Sequence, residues 1–293
     1  MQHGVQSRLT EARVLAAAGR VEQQHASDRP VPPVRKVAFV LASTDQGSFI
    51  VNRFDYKESR DGRRFGVGFK LLNESSFELS EISVCLFMLE SRRKLFGDGV
   101  VAVDCGANIG THTVDWARQM TGWGSVTAIE AQERIYYALA GNVSINNCFN
   151  TRLIHAVVGN RNGFTRIPEL DHFVPTSFGS LELRPTRNPE DIGQKVDYSE
   201  SSLVPVRAIT IDSLALKRLD LLKIDVEGME LEVLEGARRT IKRCSPVILI
   251  EKLKSNVEKI GRFLQQDDYL AAELGINLLA IHAADKAALG LGP

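Results

Sequence analysis

The sequence has no long hydrophobic run, little cysteine and no excess of charge of either sign. None of its apolar stretches reaches the ~20 residues that a membrane-crossing helix needs, so no spanning segment is expected. The first residues, MQHGVQSRLTEARVLAAAGR, lack the apolar core of a secretory signal. The four cysteines (Cys85, Cys105, Cys148, Cys244) are scattered without C-x-x-C spacing. That pattern argues against a zinc site or a disulfide framework and suits reduced thiols in or beside the core of a cytoplasmic protein. Lysine plus arginine equals aspartate plus glutamate, at 36 each. With no basic, aromatic-rich stripe either, a nucleic-acid partner is not expected. The rest of the composition, 44% hydrophobic and 25% charged over 293 residues, is ordinary for a globular chain.

One further absence is informative because of what surrounds it. The run Val100–Val103 is short, apolar and β-branched, as suits a strand buried on both faces of a parallel sheet. Asp104 ends it, Gly106 and Gly110 frame a turn, and Thr111 or Thr113 is placed to cap a following helix. This is the strand, glycine loop and helix of a nucleotide-binding βαβ unit, but the second glycine of G-x-G-x-x-G is missing. A carboxylate just before the turn would repel a pyrophosphate and welcome a cation. The loop D-x-G-x-x-x-G therefore suits S-adenosylmethionine, with its ammonium and sulfonium, better than NAD. Glu130 closes the next apolar run, SVTAIE, 20 residues beyond Gly110. An acid at about that spacing binds ribose hydroxyls through charge-assisted bonds.

Elsewhere, strand-like and helix-like segments alternate. A tail and proline-rich linker (1–35) lead into a β-rich preface (36–96). The preface carries a hairpin around Thr44–Gly47, a turn at Arg60–Arg64, the glycine-spaced run FGVGFKLL and a helix over Glu78–Phe96. It reads as a scaffold covering one edge of the sheet. From Gly97 the order is strand, helix (Thr113–Met120), strand, helix (Arg134–Asn146) and a third strand, RLIHAVVG. Asn147 and the His155–Ala156 stretch are placed to border an adenine. Residues 164–205, rich in proline, serine and glycine, read as a substrate-facing insertion. Then come VPVRAITIDSL, the strand LLKIDV, a helix over Met229–Ile241, the strand VILIE, a helix over Val257–Leu264, a β-like stretch over Ile276–Ile281 and a frayed tail. The alternation predicts an α/β fold with a doubly wound, mostly parallel sheet, whose ligands bind at the carboxyl ends of the strands. Asp104, Glu130, Asp225, Glu227 and Glu251 all fall at or just past such ends.

VVAVDCGANIG, AIEA, ITIDSL and LLKIDVEGMELEVLEGA, in that order, resemble the FkbM-type family of S-adenosylmethionine-dependent methyltransferases over roughly Gly97–Glu251. The resemblance implies a class I Rossmann-like methyltransferase domain (97–285) acting on hydroxyls of sugars, polyketides or related metabolites. It implies that Asp104, Gly106, Asn108 and Gly110 cradle the methionine end of the cofactor, that Glu130 holds the ribose, and that Asp225 and Glu227 lie beside the transferring methyl. Ala131 departs from the family, which commonly has proline there. Glu227, Asp225, His112 and His155 are the candidate bases for deprotonating an alcohol. Glu227 leads, since it lies just past a strand end within the most specific motif. His112 doubles as part of a helix start, and His155 suits a strand histidine. Asp225, Glu227 and Glu251 have the chemistry to gather a divalent metal, but no ligand spacing supports one and none is expected. The expected partner is a small-molecule or glycan acceptor. The rival functions are a non-catalytic cofactor-binding or scaffold protein on a methyltransferase fold and an NAD-dependent oxidoreductase.

Overall fold

The computed structural model describes residues 13–17, 35–59 and 61–285. Residues 13–17 are helical and exposed. The rest of the expected N-terminal helix, the proline-rich linker and the tail beyond 285 lie outside the described residues. The chain divides into residues 1–37 and 38–293.

The second unit is built on a seven-stranded sheet. Its strands are β5 (Val100–Cys105), β6 (Gly124–Glu130), β7 (Thr151–His155), β11 (Leu221–Ile224), β12 (Val247–Glu251), β13 (Tyr269–Leu274) and β14 (Asn277–His282). Their order is β13-β14-β12-β11-β5-β6-β7, parallel except for β14, which runs antiparallel to both neighbours. The sheet is mixed, mostly parallel and covered on both faces, as the alternation of elements requires.

Side-chain alternation along the strands feeds two cores. Val100, Ala102, Val126, Leu221 and Leu249 face one, against α2 (Leu79–Phe96), α3 (Thr111–Gln119) and α4 (Glu133–Ile145). Val103, Cys105, Ile129, Leu222 and Ile250 face the other, against α5 (Glu230–Gly236), α6 (Arg238–Cys244) and α7 (Val257–Gln266). Cys85, Cys105 and Cys148 are buried free thiols, and Cys244 is partly buried. No described helix is long and apolar enough to cross a membrane.

The preface opens with the expected hairpin, β1 (Phe39–Thr44) and β2 (Gly47–Asn52), and a second small pair, β3 (Lys57–Glu58) and β4 (Arg64–Phe65). Two asparagines of α4 dock the first hairpin as a neighbouring strand would. Asn146 accepts from the Ser48 amide at 3.1 Å and donates to the Ser48 carbonyl at 2.7 Å. Asn142 accepts from the Ile50 amide and donates to the Ile109 carbonyl at 2.8 Å, which ties the hairpin to the glycine loop.

Several expected boundaries differ. The glycine-spaced run FGVGFKLL, placed in the β-rich preface, is mostly helical: after Phe65 in β4, Val67–Glu74 is helix α1. A β-carbon at Gly68 would lie 2.5 Å from the Asn52 carbonyl, so the glycine there serves close approach rather than a turn. RLIHAVVG is split. β7 ends at His155, and β8 (Val157–Val158) joins a separate three-stranded sheet with β9 (Gly163–Pro168) and β10 (Leu203–Ile209). The expected single helix over Met229–Ile241 breaks at Ala237 into α5 and α6. Strand β13 was not anticipated. Gly110, not Thr111 or Thr113, sits at the N-cap of α3, with no side-chain cap bond.

Candidate functional site

A cleft of about 350 Å³ opens at the carboxyl ends of β5, β6, β11 and β12. All five strand-end acids line it, with Phe65–Val67 and Lys70 from the preface and Ser177, Gly179, Ser180, Leu181 and Leu183 from the insertion among the other walls.

The glycine loop forms the floor. The Gly106 and Ala107 amides both donate to the Ile129 carbonyl at 3.0 Å, which pins the turn against β6. Gly106 has φ 79°, and a β-carbon on it would meet the Asp225 carbonyl at 1.7 Å. No other residue fits there. Gly110 is favoured by its backbone, at φ 92°, more than by space, since only a terminal methyl of Leu139 approaches a β-carbon there, at 2.6 Å. Asn108 is left-handed at φ 51°, held by its own side chain accepting from the Ile109 amide at 2.7 Å.

Asp104 is almost fully buried. Thr113 spends its hydroxyl on it, donating to Oδ2 at 2.7 Å rather than capping α3. Oδ1 has no hydrogen-bond partner among the described residues, and the Lys223 ammonium lies 3.9 Å away. A buried carboxylate oxygen left in that state is costly unless something meets it. Glu130 accepts from the Gln132 amide at 2.7 Å and the Asn108 amide at 3.0 Å, one on each oxygen. Burial pushes its carboxyl up to about 7, against the opposing pull of those amides. Each oxygen keeps a lone pair for a further donor.

The second motif forms the opposite wall. Asp225 follows β11 and accepts from Lys223 at 2.8 Å. Burial works against the charge of Lys223, yet the Asp225 and Asp104 carboxylates hold its ammonium above the ordinary range. Glu227 is left-handed at φ 57° and pairs with Lys254 at 2.5 Å. Glu230, fully buried, fixes that turn by accepting from the Val226 and Gly228 amides, each at 3.1 Å, and from the Ser255 hydroxyl. Burial and the neighbouring Asp225 charge push Glu227 up to about 8, with Lys254 opposing. Burial, Asp225 and Glu230 do the same to Glu251. Lys254 also donates to the Ser180 carbonyl at 2.8 Å and pairs with Glu190 at 2.9 Å, so it ties the insertion to the motif. His112 is buried in the cleft wall, with Nε2 3.0 Å from Glu81 and 3.9 Å from Glu78.

The structure therefore brings Asp104, Gly106, Asn108, Glu130, Asp225, Glu227 and His112 to one cleft. Gly110 sits behind it at the start of α3. Two other candidates fall elsewhere. Asn147 follows α4, whose far end lies away from the strand tips, and does not line the cleft. His155 stacks on Tyr136 at 5.2 Å and bonds the Ala131 carbonyl at 3.0 Å, facing a different cavity. It is a satisfied strand histidine, while its neighbour Ala156 does line the cleft.

Lys223, Lys254, Glu230, Glu81 and Asp55 were not singled out by sequence. Asp55, at the end of the preface hairpin, accepts from the Gly68 amide at 2.9 Å and the Phe178 amide at 3.2 Å. It joins preface to insertion, and burial raises its carboxyl to about 6. The one available signal was the crowding of charge in LKIDVEGME and EKLK beside two strand ends.

The profile of the methyltransferase FkbM domain matches residues 104–276. The chain belongs to this family. Among solved structures it is similar to the methyltransferase FkbM from Methylobacillus flagellatus KT, at 18% identity and TM-score 0.45, over 67% of this chain and 48% of that one. This chain thus spans about half the length of that relative. It is similar also to a precorrin-6y C5,15-methyltransferase from Geobacter metallireducens GS-15 (15% identity, TM-score 0.41, 70% and 88% covered). A methyltransferase from Geobacter sulfurreducens shows 11% identity and TM-score 0.40, with 72% and 84% covered. No curated protein matches the chain.

Proposed function

We propose that this member of the FkbM family uses S-adenosylmethionine to methylate a hydroxyl of a small-molecule or glycan acceptor. The observation that carries the reading is the unpartnered Oδ1 of buried Asp104 beside a glycine floor with no room for a β-carbon. An acid-lined cleft with a spare buried carboxylate oxygen suits a cationic ligand, and the closed glycine floor suits one that lies flat on the backbone. Asp104, Gly106, Asn108 and Gly110 would hold the methionine end. Glu130 would accept from the ribose hydroxyls with its remaining lone pairs, and Ala156 and Val157 would border the adenine.

When bound, the sulfonium supplies an activated methyl group for in-line displacement. The protein's own tasks are to orient the acceptor hydroxyl and take its proton. Glu227 leads as the base, because a carboxyl raised to about 8 keeps useful proton affinity near neutral pH. Asp225 faces the same space with Lys223 as its counter-ion, and His112 is oriented by Glu81. Residues 164–205 are assigned to acceptor recognition, since Ser177–Leu181 overhang the cleft and Lys254 fastens them to Glu227.

The test is titration of S-adenosylhomocysteine into wild type, Asp104→Ala and Glu130→Ala. Losing a charge-assisted bond weakens binding by roughly tenfold or more. Binding by the wild type that drops this far in both folded variants supports the site. A folded wild type that binds nothing returns the chain to the scaffold reading.

A further inference from the structure

Three acids of the cleft converge more closely than a cofactor pocket requires. One oxygen each of Asp225, Glu227 and Glu251 can be chosen so that all lie within 4.8 Å of one another. They come from the end of β12 and the turn after β11, two adjacent strands with their register fixed by Ile224 against Ile250. Lysines partner two of the three: Lys223 meets Asp225 at 2.8 Å, and Lys254 meets Glu227 at 2.5 Å. Glu251 has neither. It is only 8% exposed, lines the cleft, and its Oε2 has no hydrogen-bond partner among the described residues.

We propose that Asp225, Glu227 and Glu251 form a binding site for one hard divalent cation, Mg²⁺ or Mn²⁺. All-oxygen, carboxylate-rich donor sets select such ions over softer metals. Glu230 completes the support, since it holds the Val226–Gly228 turn from below and fixes where Glu227 points. The role of the ion rests on the methyltransferase reading. At the acceptor end of the cleft it would bind the acceptor hydroxyl and ease loss of its proton to Glu227. The ion site itself does not depend on that reading.

The experiment is Mn²⁺ titration of the purified, chelator-stripped full chain, read by calorimetry and by the electron paramagnetic resonance of free Mn²⁺. One ion per chain, bound tighter than about 1 mM, is expected. Glu251→Gln and Glu227→Gln should each weaken it by at least about tenfold, as loss of even an outer support of a metal ligand does. Circular dichroism verifies folding, and either variant decides if the other fails to fold. Absence of Mn²⁺ binding overturns the proposal. So does binding that survives both variants but is lost in Glu81→Gln, which would move the ion to the Glu78, Glu81 and His112 group. S-adenosylhomocysteine is titrated in parallel with chelator present. Its binding without Mn²⁺ binding sinks the ion site alone. Mn²⁺ binding without S-adenosylhomocysteine binding sinks the cofactor reading and leaves the ion site standing.

Discussion

The two ends of the central sheet both bury charge, but they balance it differently. At the amino end, Arg92 bonds Asp220 at 3.2 Å, pairs with Asp285 and donates to the Cys244 carbonyl. Arg218 reaches the other oxygen of Asp220 at 2.8 Å, and the Val101 amide adds a third bond at 2.9 Å. None of these four side chains appears among the buried orphans. At the carboxyl end, Asp104 and Glu251 each keep a buried oxygen without a partner, and Glu130, Glu227 and Glu251 are raised to about 7 or 8. A saturated network stabilises and a deficient one waits for a ligand. The difference teaches where to look for function in a sheet whose two ends carry similar residue types.

The largest effect should come from breaking the closed end. Arg92→Met takes the guanidinium from Asp285 and leaves Asp220 with only Arg218 and the Val101 amide, and removing one partner of a buried charge cluster costs about 3–5 kcal/mol. Urea unfolding would measure this, and S-adenosylhomocysteine affinity of the folded fraction should not change. A loss below about 1 kcal/mol would show that the network is not the clamp described, and a parallel loss of affinity would show that the two ends are coupled.

A smaller effect is expected where the open end is fastened. Asp55→Ala leaves the buried Gly68 and Phe178 amides without their acceptor but also removes the cost of burying that carboxyl, so about 1–3 kcal/mol in all is expected. Unlike Arg92→Met, it should also weaken cofactor binding, because Phe178 anchors the segment over the cleft. Faster amide exchange at residues 176–181 is the direct readout, and unchanged exchange would separate Asp55 from the site.

The smallest effect concerns protons. Glu130 is raised from 4.5 to about 7 in the folded chain. Between those values the folded state holds a proton that the unfolded chain has released, so this group's contribution to stability falls as pH rises through the window and is flat above it. Ribose hydroxyls donate to the ionised form, so S-adenosylhomocysteine affinity should rise by up to about tenfold from pH 6 to pH 8. Glu130→Gln should flatten that profile. A wild-type profile already flat would mean that Glu130 is ionised without the ligand.

What was legible in the sequence is what local chemistry dictates. Val100–Gly110 and Leu221–Gly228 were readable because a buried parallel strand, its terminal acid and a glycine with positive φ are all written within about ten consecutive residues. The helix Val67–Glu74 was not legible because Gly66 and Gly68 space the run like a breaker, whereas the structure uses them to let the backbone approach Asp55 and Asn52. Strand β13 escaped because Tyr269 is its only fully buried residue. Its pairing comes from β14, which inserts between it and β12.

The sequence by itself determined the α/β alternation, the glycine loop, the strand-end acids and the family. Tertiary structure alone decided which charges are satisfied. Arg92, within the expected helix Glu78–Phe96, proves to be a buried clamp, and Glu251 reads as a strand-end acid and proves to keep an unpartnered oxygen. The reason is physical: the state of a buried charge depends on partners that arrive from distant parts of the chain, as Asp220 does for Arg92 across 128 positions. No local pattern records such a meeting.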